Sequence, residues 1–190
     1  MRLLRDAGID PIVVVSCADE SDPGDLGTAA LVSVLAARKA AIVSALRPGD
    51  LVLGCDSMLD LEGSALGKPA TPAEAALLWR RLAGQEAILY TGHRLIDGQS
   101  GRQASGVAAT IIRFGEPTDT EIAAYVATGE PLQLAGAFSI DGRGAAFVDG
   151  IDGDPGNVIG LSLPLLRRLL AELGIPITDL WRRSSEPTPA

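Results

Sequence analysis

Leu51-Val52-Leu53-Gly54-Cys55-Asp56-Ser57 is the stretch on which the reading of the fold turns. Its first five residues make a short apolar run suited to a buried strand. The carboxylate and hydroxyl that follow then fall at the strand's C-terminal end, where α/β proteins place their chemistry. Just upstream, Pro48-Gly49-Asp50 stops a helix read over Ala29 to Leu46 from its apolar spacing, with Arg38 and Lys39 inside it. Just downstream, Asp60 to Ser64 reads as a turn.

Farther out the same alternation continues. Leu3-Leu4 with Ala7-Gly8 looks like the last turns of a helix closed by glycine, and Pro11 to Ser16 reads as a buried strand followed by a polar loop from Asp19 to Asp25. Thr71-Pro72-Ala73-Glu74 and Thr118-Asp119-Thr120-Glu121 are capping boxes. They open helices expected to run from Pro72 to about Ala83 and from Thr118 to Gly129. Ile88 to Thr91, Arg94 to Ile96 and Val107 to Phe114 read as strands of a hairpin turning at Asp97 to Gly101. Ala145 to Val148 reads as a strand, Asp149 to Asn157 as an acidic glycine-rich loop, and Leu163 to Leu173 as an amphipathic helix closed by Gly174. Helices interleaved with strands imply a mixed α/β sheet with helices against it.

Composition narrows the function. The chain has 190 residues, 47% of them hydrophobic and 21% charged, enough for one domain with a real core, and its formal charge of −8 removes any general attraction to nucleic acid or an anionic membrane. An anionic ligand therefore needs a local cluster or a metal. No apolar run is read as long enough to cross a bilayer, and Cys17 and Cys55 lack metal-ligand spacing, which fits reduced thiols in the cytoplasm.

Arginine supplies 14 of the 16 basic residues, so the two lysines, Lys39 and Lys68, stand where a compact point charge is wanted. Lys68 sits in Leu66-Gly67-Lys68-Pro69, where glycine admits a close backbone approach and proline stiffens the loop; that suits a phosphate, and a solvated loop lysine is the competing reading. Asp56 is placed to bind a divalent cation or take a proton from water, with a turn or helix cap as its alternative, and Asp19 or Glu20 offers a second carboxylate.

Other patterns fail on spacing. Gly160-Leu161-Ser162-Leu163-Pro164 lacks the second glycine of a nucleophile elbow, and His93 has no nucleophile signature beside it, so it reads as a strand-end polar residue. The loop from Asp152 has Leu163 where a calcium loop needs glutamate, and Gly142-Arg143-Gly144 lacks a third glycine.

Together, Val52 to Ser57, Leu66 to Pro69, Tyr90-Thr91-Gly92-His93, Ala135 to Phe138 with Asp141 to Gly144, and Asn157 to Pro164 resemble the Maf family in order and spacing. The resemblance implies a mixed sheet flanked by helices around a central cleft, related to the inosine triphosphatases. It further implies a metal-dependent nucleoside triphosphate pyrophosphatase and a plausible homodimer. Carried over, Asp56 is the proton acceptor and Lys39 and Lys68 bind phosphate. Glu20, Asp56 and Asp141 lie about Mg²⁺ or Mn²⁺, Asp141 being alternatively a base-recognising residue.

Against that pattern, the chain starts inside the first helix, so a single domain over 1–183 is expected without the family's opening strand and Ser-x-Ser-Pro-x-Arg phosphate loop, followed by a disordered tail over 184–190. Cys55-Asp56-Ser57 stands for the commoner Ala-Asp-Thr, and Phe138-Ser139-Ile140-Asp141 for Tyr-Gly-Ile-Gln, which leaves the preferred base open. Two other readings accompany this one. One is a weakly active or non-catalytic nucleotide-binding regulator of cell division; the other is a phosphohydrolase that releases single phosphate.

Overall fold

A computed structural model of the chain describes residues 2–21, Gly24 and residues 26–182; the expected tail over 184–190 lies outside these. In chain order the elements are α1 (Arg2–Asp6), α2 (Thr28–Leu46), β1 (Leu51–Leu61), β2 (Ser64–Leu66), α3 (Pro72–Leu82), β3 (Glu86–Asp97), β4 (Gln103–Phe114), α4 (Asp119–Ala127), β5 (Val148–Asp152), α5 (Pro155–Val158) and α6 (Leu163–Glu172). The strands form one sheet in the order β2-β1-β3-β4-β5, and every described pair is antiparallel. The class is the mixed α/β one expected.

Local chemistry accounts for the element ends. The Thr71 hydroxyl accepts from Glu74 N, and at Thr118 the reciprocal capping box closes fully. Gly8, Gly129 and Gly174 all take positive φ where their helices end, a conformation glycine adopts without steric cost.

Helix α2 covers one face of the sheet, and two glycines set how closely. A Cβ at Gly54 would lie 2.5 Å from Ala36 O, and one at Gly92 2.3 Å from Val32 O, so the helix backbone rests directly on β1 and β3. By length and composition α2 is also long and apolar enough to cross a membrane, which corrects the expectation that no such run exists. Arg38 and Lys39 interrupt the apolar run without lowering its average much, because its other residues are mostly alanine, valine and leucine.

The opposite face carries two cores. At one end Leu165, Leu166, Leu169 and Leu170 of α6 pack on Leu95 and Ala104. At the other, fully buried Trp79 donates its indole N–H to Ala137 O at 2.9 Å and meets Phe114, Tyr125 and Phe147 edge-on at 5.5–5.7 Å.

Several expectations are corrected. Pro11–Ser16 is not a buried strand: it has no ladder partner among the described residues, and Ile12 and Val15 are 71% and 78% exposed. Strand-forming composition is not sufficient where no neighbouring strand pairs the backbone. Ala145–Phe147 belongs to a 3₁₀ turn, and β5 starts only at Val148 to pair with β4. The separate strands read around Tyr90 and Leu95 are one, because Gly92 and His93 pair with Asp56 and Cys55 within the ladder.

Candidate active site

Strand β1 continues eleven residues to Leu61, so Asp56 lies in mid-strand rather than at a strand end as expected. It is reachable for another reason. The short strand β2 pairs only Leu59 to Leu61, and among the described residues nothing pairs the outer edge of β1 before that point. Alternation along β1 puts Asp56 on the same face as Gly54, under α2.

The close seat of α2 on Gly54 and Gly92 brings Lys39 down to Asp56. Its ammonium donates to Asp56 Oδ1 at 2.5 Å and meets Glu20 Oε1 at 2.7 Å. Glu20 is held there by its neighbour on the helix: Arg38 Nη1 donates to Asp19 O at 3.1 Å and to Ser21 O at 2.9 Å, one on each side of Glu20. Of the two acids weighed, Glu20 reaches the cluster, whereas the Asp19 carboxylate accepts from Ser21 N.

Burial raises the Asp56 carboxyl from its ordinary value, and the Lys39 hydrogen bond and the Lys68 charge oppose that shift only in part. Exposed Glu20 goes the other way, lowered chiefly by its bond to Lys39. For Lys39 itself, burial works against the charge, but its bonds to the two carboxylates outweigh it and raise the ammonium. The pair therefore holds an ionised aspartate whose proton affinity is higher than that of an ordinary surface acid, the property wanted in a general base.

A cleft of about 560 Å³, within the range of small-molecule sites, opens at this edge. Glu20, Lys39, Asp56, Lys68 and Asp141 all line it. Lys68 arrives from the loop after β2, and Asp141 from the irregular segment before β5. Asp141 also borders a smaller cavity of about 170 Å³ with Arg2, Leu3 and Asp6. Among the described residues, no group of three or more His, Cys, Asp or Glu gathers as a preformed metal site. Glu20 and Asp56 nevertheless converge on one cation, the Lys39 ammonium. Two carboxylates completed by substrate phosphates and water are a donor set that Mg²⁺ accepts.

A buried polar network that no sequence motif marks lies beneath the cleft. Ser57 Oγ and Thr91 Oγ1 lie 2.8 Å apart, Thr91 Oγ1 donates to Asn157 O at 3.1 Å, and Asn157 Nδ2 donates to Leu89 O and Thr110 Oγ1. These bonds fix α5 to the sheet and so place Val158 to Gly160 on the cleft wall. Asn157 opens the stretch Asn157 to Pro164, but nothing in its spacing reveals a partner 66 residues away.

His93 is corrected too. It sits mid-strand, 1% exposed, with Nδ1 3.0 Å from Thr91 O and Nε2 accepting from Ser162 N at 3.0 Å, so it anchors the start of α6. Neighbouring Cys55 is a free thiol pushed up to about 12, mainly by burial, which favours its protonated form.

Comparison with known proteins shows what the chain as a whole is similar to. The profile of a family described as Maf-like protein matches residues 1–173. A protein of Streptomyces coelicolor named nucleoside triphosphate pyrophosphatase is 59% identical over 184 residues, 95% of this chain and 89% of its own length. Proteins of the same name from Streptomyces avermitilis and Salinispora tropica are 56% identical over 184 residues and 52% identical over 195; the alignments cover 95% and 99% of this chain and 89% and 86% of theirs.

Proposed function

The chain belongs to the Maf family, and from that premise we propose that it is a nucleoside triphosphate pyrophosphatase, cutting an NTP to the monophosphate and pyrophosphate. One observation carries the reading at the level of the site. A partly buried carboxylate bonded to a lysine shares a cleft with a second lysine, on a protein whose net charge would otherwise repel a polyphosphate.

Asp56 accepts the proton of a water that attacks the α-phosphorus. The new P–O bond forms as the bond from that phosphorus to the bridging oxygen breaks, and pyrophosphate departs with its charge held by Lys39 and Lys68. Lys39 has a second task, keeping Asp56 ionised in a partly buried setting so that it can receive the proton. Glu20 draws Lys39 toward the cleft mouth.

Glu20 and Asp56 are the residues that would hold a divalent cation, Mg²⁺ or Mn²⁺, which when bound neutralises triphosphate charge; Asp141, farther along the cleft, takes its alternative, base-side role. A cytoplasmic location and a homodimer belong to the same proposal. Relatives named for a catalytic activity at 52–59% identity favour the enzyme over a non-catalytic regulator.

The test is Asp56→Asn. Pyrophosphate release falls by a factor on the order of 100 or more while NTP binding persists. Undiminished turnover removes Asp56 from its role, and release of single phosphate by the unsubstituted enzyme overturns the reaction class.

A further inference from the structure

Glu130 takes no part in the chemistry above, yet four hydrogen bonds end on its carboxylate. Oε1 accepts from Tyr125 Oη at 3.0 Å, Ser139 Oγ at 3.2 Å and Gly144 N at 3.1 Å, and Oε2 accepts from Arg143 N at 3.1 Å. Burial alone would raise this carboxyl, but the backbone N–H groups of Gly144 and Arg143 and the two hydroxyls outweigh it and keep the group ionised. On one side the carboxylate is tied to Tyr125, whose ring stacks edge-on with Trp79 and Phe147 at 5.5 and 5.7 Å. On the other it grips the turn that follows Ser139.

The gripped segment has no helix or strand of its own from Phe138 to Gly142 and carries three cleft-lining residues, Phe138, Ser139 and Asp141, the last two polar. It is also tightly seated. A Cβ at Gly142 would fall 2.6 Å from Glu130 Oε1, and one at Gly144 2.6 Å from Tyr125 Oη. Cations lie in only one part of the cleft. Its two lysines are Lys39 and Lys68, whereas the stretch from Gln133 to Asp141 supplies an amide, a hydroxyl and a carboxylate but no cation. A polyphosphate is held by the lysines, so this cation-free wall faces the nucleoside.

We infer that Glu130 is a positioning residue for nucleoside recognition, clamping the Ser139–Gly144 segment so that Ser139 and Asp141 meet the sugar and base. The inference rests on the nucleotide reading of the cleft. Its consequence is specific: loss of the clamp weakens the hold on the nucleoside and leaves the phosphate subsite as it was. A residue serving only fold stability affects both ends together.

The experiment compares wild type with Glu130→Ala and Glu130→Gln, the latter preserving volume while turning a donor toward the segment's N–H groups. Calorimetry measures Kd for a non-hydrolysable NTP analogue and, separately, for inorganic tripolyphosphate, with melting curves to show that each variant is folded. Expected is an NTP-analogue Kd raised about tenfold, the equivalent of losing one charged hydrogen bond, with the tripolyphosphate Kd within about twofold of wild type. Equal weakening of both probes, or no change in a folded variant, overturns the inference. If neither variant folds, Tyr125→Phe, which removes one donor to Glu130 Oε1, decides by the same split. Pyrophosphate release by wild type is recorded alongside; its absence faults the hydrolase reading and leaves the comparison of the two Kd values to judge Glu130.

Discussion

Replacing Gly92 by alanine tests how the site is assembled, because the change touches no cleft-lining side chain. The added Cβ would stand 2.3 Å from Val32 O, 2.5 Å from Val32 C and 2.8 Å from Ser33 N, all backbone atoms of α2 that cannot rotate away. Ordinary contact begins near 3.4 Å, so the helix must retreat by about 1 Å or the strand must bend by as much. Overpacking of this kind costs about 1–3 kcal/mol, and for a chain of this length that lowers Tm by roughly 2–12 °C.

The chemistry suffers more than the fold. Lys39 rides on α2, two turns beyond Val32, and its 2.5 Å bond to Asp56 and 2.7 Å contact with Glu20 do not survive a 1 Å withdrawal intact. Misplacement of that size costs on the order of 100-fold in rate. Steady-state pyrophosphate release and a thermal melt, measured on the same preparation, check both quantities. A folded Gly92→Ala enzyme with wild-type kcat/KM refutes the claim that close seating of α2 builds the site. Gly54→Ala, whose Cβ meets Ala36 O at 2.5 Å, is expected to behave alike.

Three further outcomes are expected. Lys39→Met lowers kcat and moves the acidic limb of the kcat/KM profile to higher pH, since the Lys39 bond opposes the upward push of burial on Asp56; a limb that stays in place counts against Asp56 as the base. Lys68→Ala raises KM for the NTP by about tenfold, and tripolyphosphate binding weakens in parallel because the loss is at the phosphates. His93 is lowered by burial below its ordinary value of 6.5, so the unfolded chain binds more protons and its stability contribution, complete above pH 6.5, is lost as pH falls below that value. Urea melts of wild type and His93→Gln should converge between pH 7.5 and pH 5.5; a constant difference between them rejects the assignment.

Much of this molecule is written in local sequence. Thr71 and Thr118 cap α3 and α4 because a hydroxyl three residues before a glutamate satisfies free N–H groups whatever lies around it. The glycines at 8, 129 and 174 end helices for an equally local reason. Scarcity of lysine in an arginine-rich chain marked Lys39 and Lys68, and both line the cleft.

What composition could not supply were facts about partners. Pro11–Ser16 has strand chemistry but no strand beside it, while β1 runs on through Asp56 because β3 pairs it residue by residue. The tie from Thr91 to Asn157, the burial of His93, and the four donors gathered on Glu130 join residues whose separations follow no short period. Periodicity and caps depend on neighbours along the chain and are therefore fixed by sequence. The proton affinity of Asp56 and the reach of Lys39 depend on how near one helix settles on two glycines, and that distance is a property of the packed molecule alone.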